Sequence, residues 1–128
     1  MKIVVLIARI LLGLAFLVFG LNKLYVFMPP GAPPTGAAGQ FMGALMSTHY
    51  IMVVGVLESV GGLLLLLNRY VPLALTILAP IIVNILLVGI LLTSMALPSG
   101  LVVTALWFLV FWSVRSAFAG VFQARVAA

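Results

Sequence analysis

Residues 50–67 read YIMVVGVLESVGGLLLLL, an apolar run with one charged side chain, Glu58, near its middle and an Asn68-Arg69-Tyr70 turn at its end. At about 1.5 Å per helical residue such a run comes close to crossing the roughly 30 Å hydrocarbon core of a bilayer. Its neighbours repeat the pattern. Toward the C-terminus a further apolar stretch covers about 71–95, with Pro72 suited to the first turn of a helix and Pro80 and Asn84 near its centre. Because proline has no N–H to give to the carbonyl of Thr76, a kink is expected there. Ala96-Leu97-Pro98-Ser99-Gly100 reads as a tight reversal, about 101–118 as a fourth apolar stretch, and the tail to Ala128 carries Arg125. Toward the N-terminus Phe41, Met42, Leu45 and Met46 recur at i, i+1, i+4 and i+5, the stripe of a short interfacial helix. Before it lies Met28-Pro29-Pro30-Gly31-Ala32-Pro33-Pro34, which ends a first apolar run of about 3–27. That run is too long for the apolar segment of a signal peptide and reads as a membrane span.

The chain of 128 residues is 66% hydrophobic and 5% charged, and its mean hydropathy is +1.47, outside the range of soluble domains. The expected architecture is all-α: one polytopic membrane domain over 1–128, a four-transmembrane-helix bundle with a short interfacial helix in the first extracytoplasmic loop. Cysteine is absent, which excludes disulfides, thiol redox chemistry, Fe–S clusters and thiolate metal sites. His49, the one histidine, has no second imidazole to join it in axial haem ligation or a multi-histidine metal site, and an interfacial position suits it. No GxGxxG, Walker, HExxH or nucleophile-elbow pattern is present. No catalytic residue, metal ligand set or intrinsic cofactor is therefore assigned, nucleic acid is a poor partner for such a chain, and an enzyme is the weaker expectation.

Four crossings place both termini and the Asn68 turn on one side. Lys2, Arg9, Arg69, Arg115 and Arg125 belong to that side and only Lys23 to the other. The excess of positive charge predicts cytoplasmic termini in the inner (cytoplasmic) membrane. Tyr25, Phe27 and Tyr50 suit an outer aromatic belt, and Tyr70, Phe118 and Phe122 an inner one. Trp107 and Trp112 lie deeper.

Arg9, Gly13, Phe16, Gly20 and Lys23 are spaced by 4, 3, 4 and 3, so all five share one stripe of the first helix. The glycines let a neighbouring backbone approach. Glu58 is the sharper signal, since an unpaired acid at the centre of a transmembrane helix costs about 2.5 to 3.5 kcal/mol on insertion scales. Counting from each span's centre puts Arg9 and Arg115 roughly 7 to 8 Å toward the cytoplasm, with Asn84 near the depth of Glu58. Thr104, Phe108, Phe111 and Arg115 repeat at 4, 3 and 4, which sets Arg115 on an inward aromatic face. The expected polar core is Glu58 with Arg9 and Arg115, and Asn84 alongside. Two readings of it stay open: a polar floor for the head of an amphipathic ligand such as a quinone or lipid, and an internal ion pair that fixes helix register and binds nothing.

The stripe Arg9-x-x-x-Gly13-x-x-Phe16-x-x-x-Gly20-x-x-Lys23, followed by Glu58-x-x-Gly61-Gly62-Leu63-Leu64-Leu65-Leu66, resembles the DoxX-like family of small bacterial and archaeal membrane proteins. The resemblance implies a four-helix membrane bundle and, because the founding member is associated with a thiosulfate:quinone oxidoreductase, a quinone-linked or accessory role. Arg9, Lys23 and Glu58 carry over from the family's polar motif, and Gly61 and Gly62 join Gly13 and Gly20 as packing positions. Asn84 stands where some relatives have another polar or imidazole side chain, and the Pro/Gly loop from Met28 is unusually long. The leading expectation is a small accessory or structural subunit of a membrane, in particular a redox, complex. Its partners would be the lipid bilayer and other membrane subunits or further copies of itself, with quinone or lipid as bound molecule. The alternatives are a quinone-linked oxidoreductase component and, less well matched, a small proton-coupled transporter, whose acid would lie in the first helix where this chain has Arg9.

Overall fold

A computed structural model describes residues 2–25 and 35–125, leaving aside the side chains of Met95 and Phe122. Within it five α-helices follow one another: α1 (Lys2–Leu24), α2 (Gly36–Ser47), α3 (Tyr50–Leu67), α4 (Val71–Leu87) and α5 (Leu97–Ser113). A π-helical turn, Val88–Leu92, continues α4. A short 3₁₀ turn, Ser94–Ala96, leads into α5, and a 3₁₀ segment, Arg115–Phe122, follows it. The described residues contain no strand. The protein is an all-α polytopic membrane protein. Lys2–Leu24, Tyr50–Leu67 and Val71–Leu92 are each long and apolar enough to cross a bilayer, and a fourth crossing is reached when α5 is counted with the segment after it.

Local chemistry explains the turns. α3 stops at Asn68, which takes a left-handed conformation at φ 54°, a conformation that asparagine tolerates better than most residues. The Asn68 N–H then donates to the Leu65 carbonyl and the Arg69 N–H to the Leu64 carbonyl, the paired closure of a Schellman ending. Tyr70, also left-handed at φ 52°, turns the chain into α4, with Pro72 in the first turn where a missing N–H costs nothing. α3 and α4 are thus an antiparallel hairpin.

Several expected boundaries shift. The end of the first run, Val26 and Phe27, lies outside the described residues, as does the Pro/Gly stretch from Met28. The third apolar stretch stays α-helical through Pro80, and the departure from α geometry comes later, where the Thr93 N–H reaches back five residues to the Val88 carbonyl at 2.8 Å. Pro98 does not sit in a reversal. It occupies the first turn of α5, so the helix begins at Leu97 rather than near Leu101. At the other end α5 stops at Ser113, and the chain bends by 88° into Arg115–Val121, so Phe118 is not part of a straight fourth span.

The core gathers Leu12 and Phe16 of α1, Leu65 of α3, Leu75, Leu78 and Ile82 of α4, and Val103 and Val110 of α5. Trp107 ties α5 to α4 by donating from Nε1 to the Leu75 carbonyl at 3.0 Å, and it stacks on Phe111. Much of the outer surface is aliphatic, as a lipid-facing wall requires, with Ile3, Val53, Leu73 and Leu101 all exposed.

Candidate functional site

α1 and α3 pack backbone to backbone through two matched pairs of glycines. A methyl group at Gly13 would lie 2.9 Å from the Gly62 carbonyl oxygen, and one at Gly55 would lie 2.9 Å from the Gly20 carbonyl oxygen. On each helix the two glycines are seven residues apart, so the small positions recur on one face every two turns and let the antiparallel helices run together over that length. Ser59 lies between them on α3, its Oγ bonded to the Gly55 carbonyl at 2.7 Å. Gly61 faces the other way, toward Leu78 of α4. Gly55 and Ser59 escaped the sequence reading, although the seven-residue spacing of Gly55 and Gly62 matches that of Gly13 and Gly20.

This close approach positions the ion pair. Glu58 is 2% exposed, and Lys23 Nζ stands 3.0 Å from its Oε1 and 3.1 Å from its Oε2. The expected pairing of Glu58 with Arg9 or Arg115 is not made. Side chains on a helix lean toward its N-terminus, so on antiparallel helices Lys23, near the end of α1, and Glu58, in mid α3, lean toward each other. Gly55 clears the path, because a methyl there would come within 3.0 Å of the Lys23 Cβ. Depth counted along the axis misses this convergence.

Arg9 leans the same way along α1 but starts on the far side of Glu58, so its lean carries it away from the acid and toward the end of α3. Its Nη1 donates to the Leu65 carbonyl and, at 3.5 Å, to the Leu66 carbonyl. The Leu65 carbonyl, which already accepts from the Asn68 N–H, has a second lone pair for the guanidinium, and the partial negative charge at the end of the helix favours a cation there. Leu65 lies two turns beyond Glu58, about 10 Å along the helix axis. Arg115 is also elsewhere: it is exposed, donates to the Trp112 carbonyl at 2.6 Å and lies 4.3 Å from the centre of the Trp112 ring. The 88° bend at the end of α5 carries it off the inward face assigned to it. Asn84 is exposed and takes no part in the Glu58 pair. The predicted cluster therefore resolves into a buried pair, Lys23 with Glu58, and a separate clasp, Arg9 on the end of α3.

Neither lies at the floor of an enclosed chamber. A partly open groove of about 1040 Å³ lies between α1 and α5, at the end where α1 begins and α5 finishes. Lys2, Arg9 and Asn68 supply its polar edge, and Phe108, Leu109 and Trp112 its apolar wall. His49 is exposed at the start of α3, and no group of three or more histidine, cysteine or acidic side chains suited to a metal occurs among the described residues.

The family model for DoxX matches residues 4–92, from the first turn of α1 to the end of the π turn. The chain belongs to the DoxX family. The matched region of this DoxX protein contains Arg9, Lys23, Glu58 and all four glycines of the α1–α3 contact, whereas α5, the apolar wall of the groove, lies beyond it. No curated protein and no solved structure matches the chain significantly.

Proposed function

We propose that this DoxX protein is a small accessory subunit of a membrane assembly, of the redox class suggested by the family, and that its α1–α5 groove receives the head of an amphipathic molecule, quinone or lipid. The observation that carries this reading is the groove itself: a cavity of about 1040 Å³ with an apolar wall and a few polar groups at one end, the usual composition of a site for an amphiphile. The Lys23–Glu58 pair has a structural part in it. With the carboxylate fully engaged, its task is to hold α1 on α3 and so fix the α1 wall of the groove. The chain is read as residing in the inner (cytoplasmic) membrane with both termini cytoplasmic. Lys2, Arg69, Arg115 and Arg125 gather at that end, and Lys23 at the other is neutralised by Glu58.

Gentle solubilisation of the native membrane followed by mass spectrometry of everything that co-purifies tests the proposal. Other membrane subunits at fixed stoichiometry, together with a retained quinone or lipid, are the expected result. A chain recovered alone and free of any amphiphile would refute it.

A further inference from the structure

We infer that the α1–α5 groove is selective for one acidic phospholipid, its phosphate held by Lys2 and Arg9. The inference rests on the amphiphile reading of that groove and names the chemical class it takes. Lys2 and Arg9 both line the cavity and are seven residues apart on α1, so they share a face about 10 Å apart along the axis. The chain contains one acidic residue, Glu58, and it is committed to Lys23 at 3.0 Å. No acidic side chain is thus left to balance the cations of the groove, which favours an anionic occupant. Asn68, at the same edge, adds an amide that both donates and accepts hydrogen bonds. Arg9 spends Nη1 on the α3 carbonyls, and a guanidinium carries five N–H donors, which suits it to binding phosphate at the same time.

The apolar side fixes the rest of the molecule. The α5 wall runs from Ala105 to Ser113, about 12 Å along the axis, and offers Phe108 and Trp112 to the first part of an acyl chain. α1 and α5 are antiparallel, because α1 opposes α3, α3 opposes α4 across the Asn68 turn, and α4 opposes α5. The cationic mouth therefore lies where α1 begins and α5 ends, with Lys2 at its outer edge and Arg9 about 10 Å deeper along the axis, so that a phosphate is drawn in between them. A zwitterionic phospholipid would bring its own ammonium toward Lys2 and Arg9, and a neutral quinone ring would leave both charges unbalanced. An acidic phospholipid satisfies the charges and the wall together.

Native mass spectrometry of the full chain, delipidated and then offered dioleoylphosphatidylglycerol and dioleoylphosphatidylcholine at equal concentration, reads the selectivity directly. The expected result is one phosphatidylglycerol retained per chain with about tenfold preference, falling about fivefold in Lys2→Gln, since each surface cation contributes about 1 kcal/mol toward an anionic headgroup. Lys2 makes no contact on which the bundle depends, so this variant folds as the parent does. Lys2→Gln combined with Arg9→Gln, which removes both cations, is expected to abolish the preference. Equal retention of the two lipids, or an unchanged preference in Lys2→Gln, overturns the inference. So does displacement of the lipid by glycerol 3-phosphate alone, which would make a soluble anion the ligand. Retention of a short-chain ubiquinone without phosphatidylglycerol overturns it while leaving the amphiphile reading intact. A groove that retains none of these molecules overturns both.

Discussion

Lys23 and Glu58 come from different depths of their helices, yet their charged ends are 3.0 Å apart, because antiparallel helices tilt the two side chains toward a common level. The pair is unequal in its access to water: the Lys23 side chain is 27% exposed and that of Glu58 3%.

That inequality predicts an order. Lys23→Met leaves a carboxylate buried without its counter-ion and is expected to cost about 3 to 5 kcal/mol. Glu58→Gln leaves an ammonium that can reach water along its own stem, and its loss should be smaller, about 1 to 2 kcal/mol. Thermal unfolding of both variants in the same detergent measures the order, and a larger loss in Glu58→Gln would contradict the geometry.

At Gly62 a methyl group would lie 2.5 Å from the Leu17 backbone nitrogen and 2.6 Å from the Gly13 carbonyl oxygen. No rotamer change relieves a clash with backbone, so Gly62→Ala must push α1 away from α3, at a cost of about 3 kcal/mol or more. Gly43→Ala, on α2 with nothing within 4 Å, serves as the control and should be neutral or stabilising by up to about 1 kcal/mol. Melting temperatures of the two alanine variants compare the sites.

Two arginines assigned to one cluster by the sequence should behave differently. Arg9→Gln removes a charged donor from the Leu65 carbonyl and is expected to cost about 1.5 to 3 kcal/mol, with faster amide hydrogen exchange in the last turn of α3. Arg115→Ala loses only an exposed contact with Trp112 and should change stability by no more than about 0.5 kcal/mol. Equal losses would show that Arg115 reaches the core after all.

Trp107→Phe keeps a ring against Phe111 but removes the donor that reaches Leu75 across the α4–α5 interface. A loss of about 1 kcal/mol is expected, readable in the melting temperature and as increased exchange around Trp107 in α5.

Much of the fold was legible in the sequence, because in lipid the hydrophobic run length and the need to satisfy backbone hydrogen bonds leave helices as the only choice for these segments. The α1 seam was legible as well: the 4, 3, 4, 3 spacing of Arg9, Gly13, Phe16, Gly20 and Lys23 is a property of a single helix and needs no neighbour. The partner of Glu58 was not. Choosing between Lys23 and Arg9 depends on which way each side chain leans relative to an antiparallel neighbour, and that is a relation between two helices. The 88° bend after Ser113 was invisible for a related reason. Val114 to Val121 holds neither proline nor a charge run, and nothing local marks the departure from the α5 axis that carries Arg115 away from the core. Gly55 was legible too, since its seven-residue spacing to Gly62 repeats that of Gly13 and Gly20 on α1.

The order in which the ion pair's halves occur along the chain has a consequence for biosynthesis. α1 leaves the ribosome before α3, so the ammonium of Lys23 is already at the membrane when Glu58 arrives there. The one acidic group that this chain must carry into lipid therefore enters beside a waiting counter-charge, and the small residues of α1 form a ready track along which the incoming helix can dock.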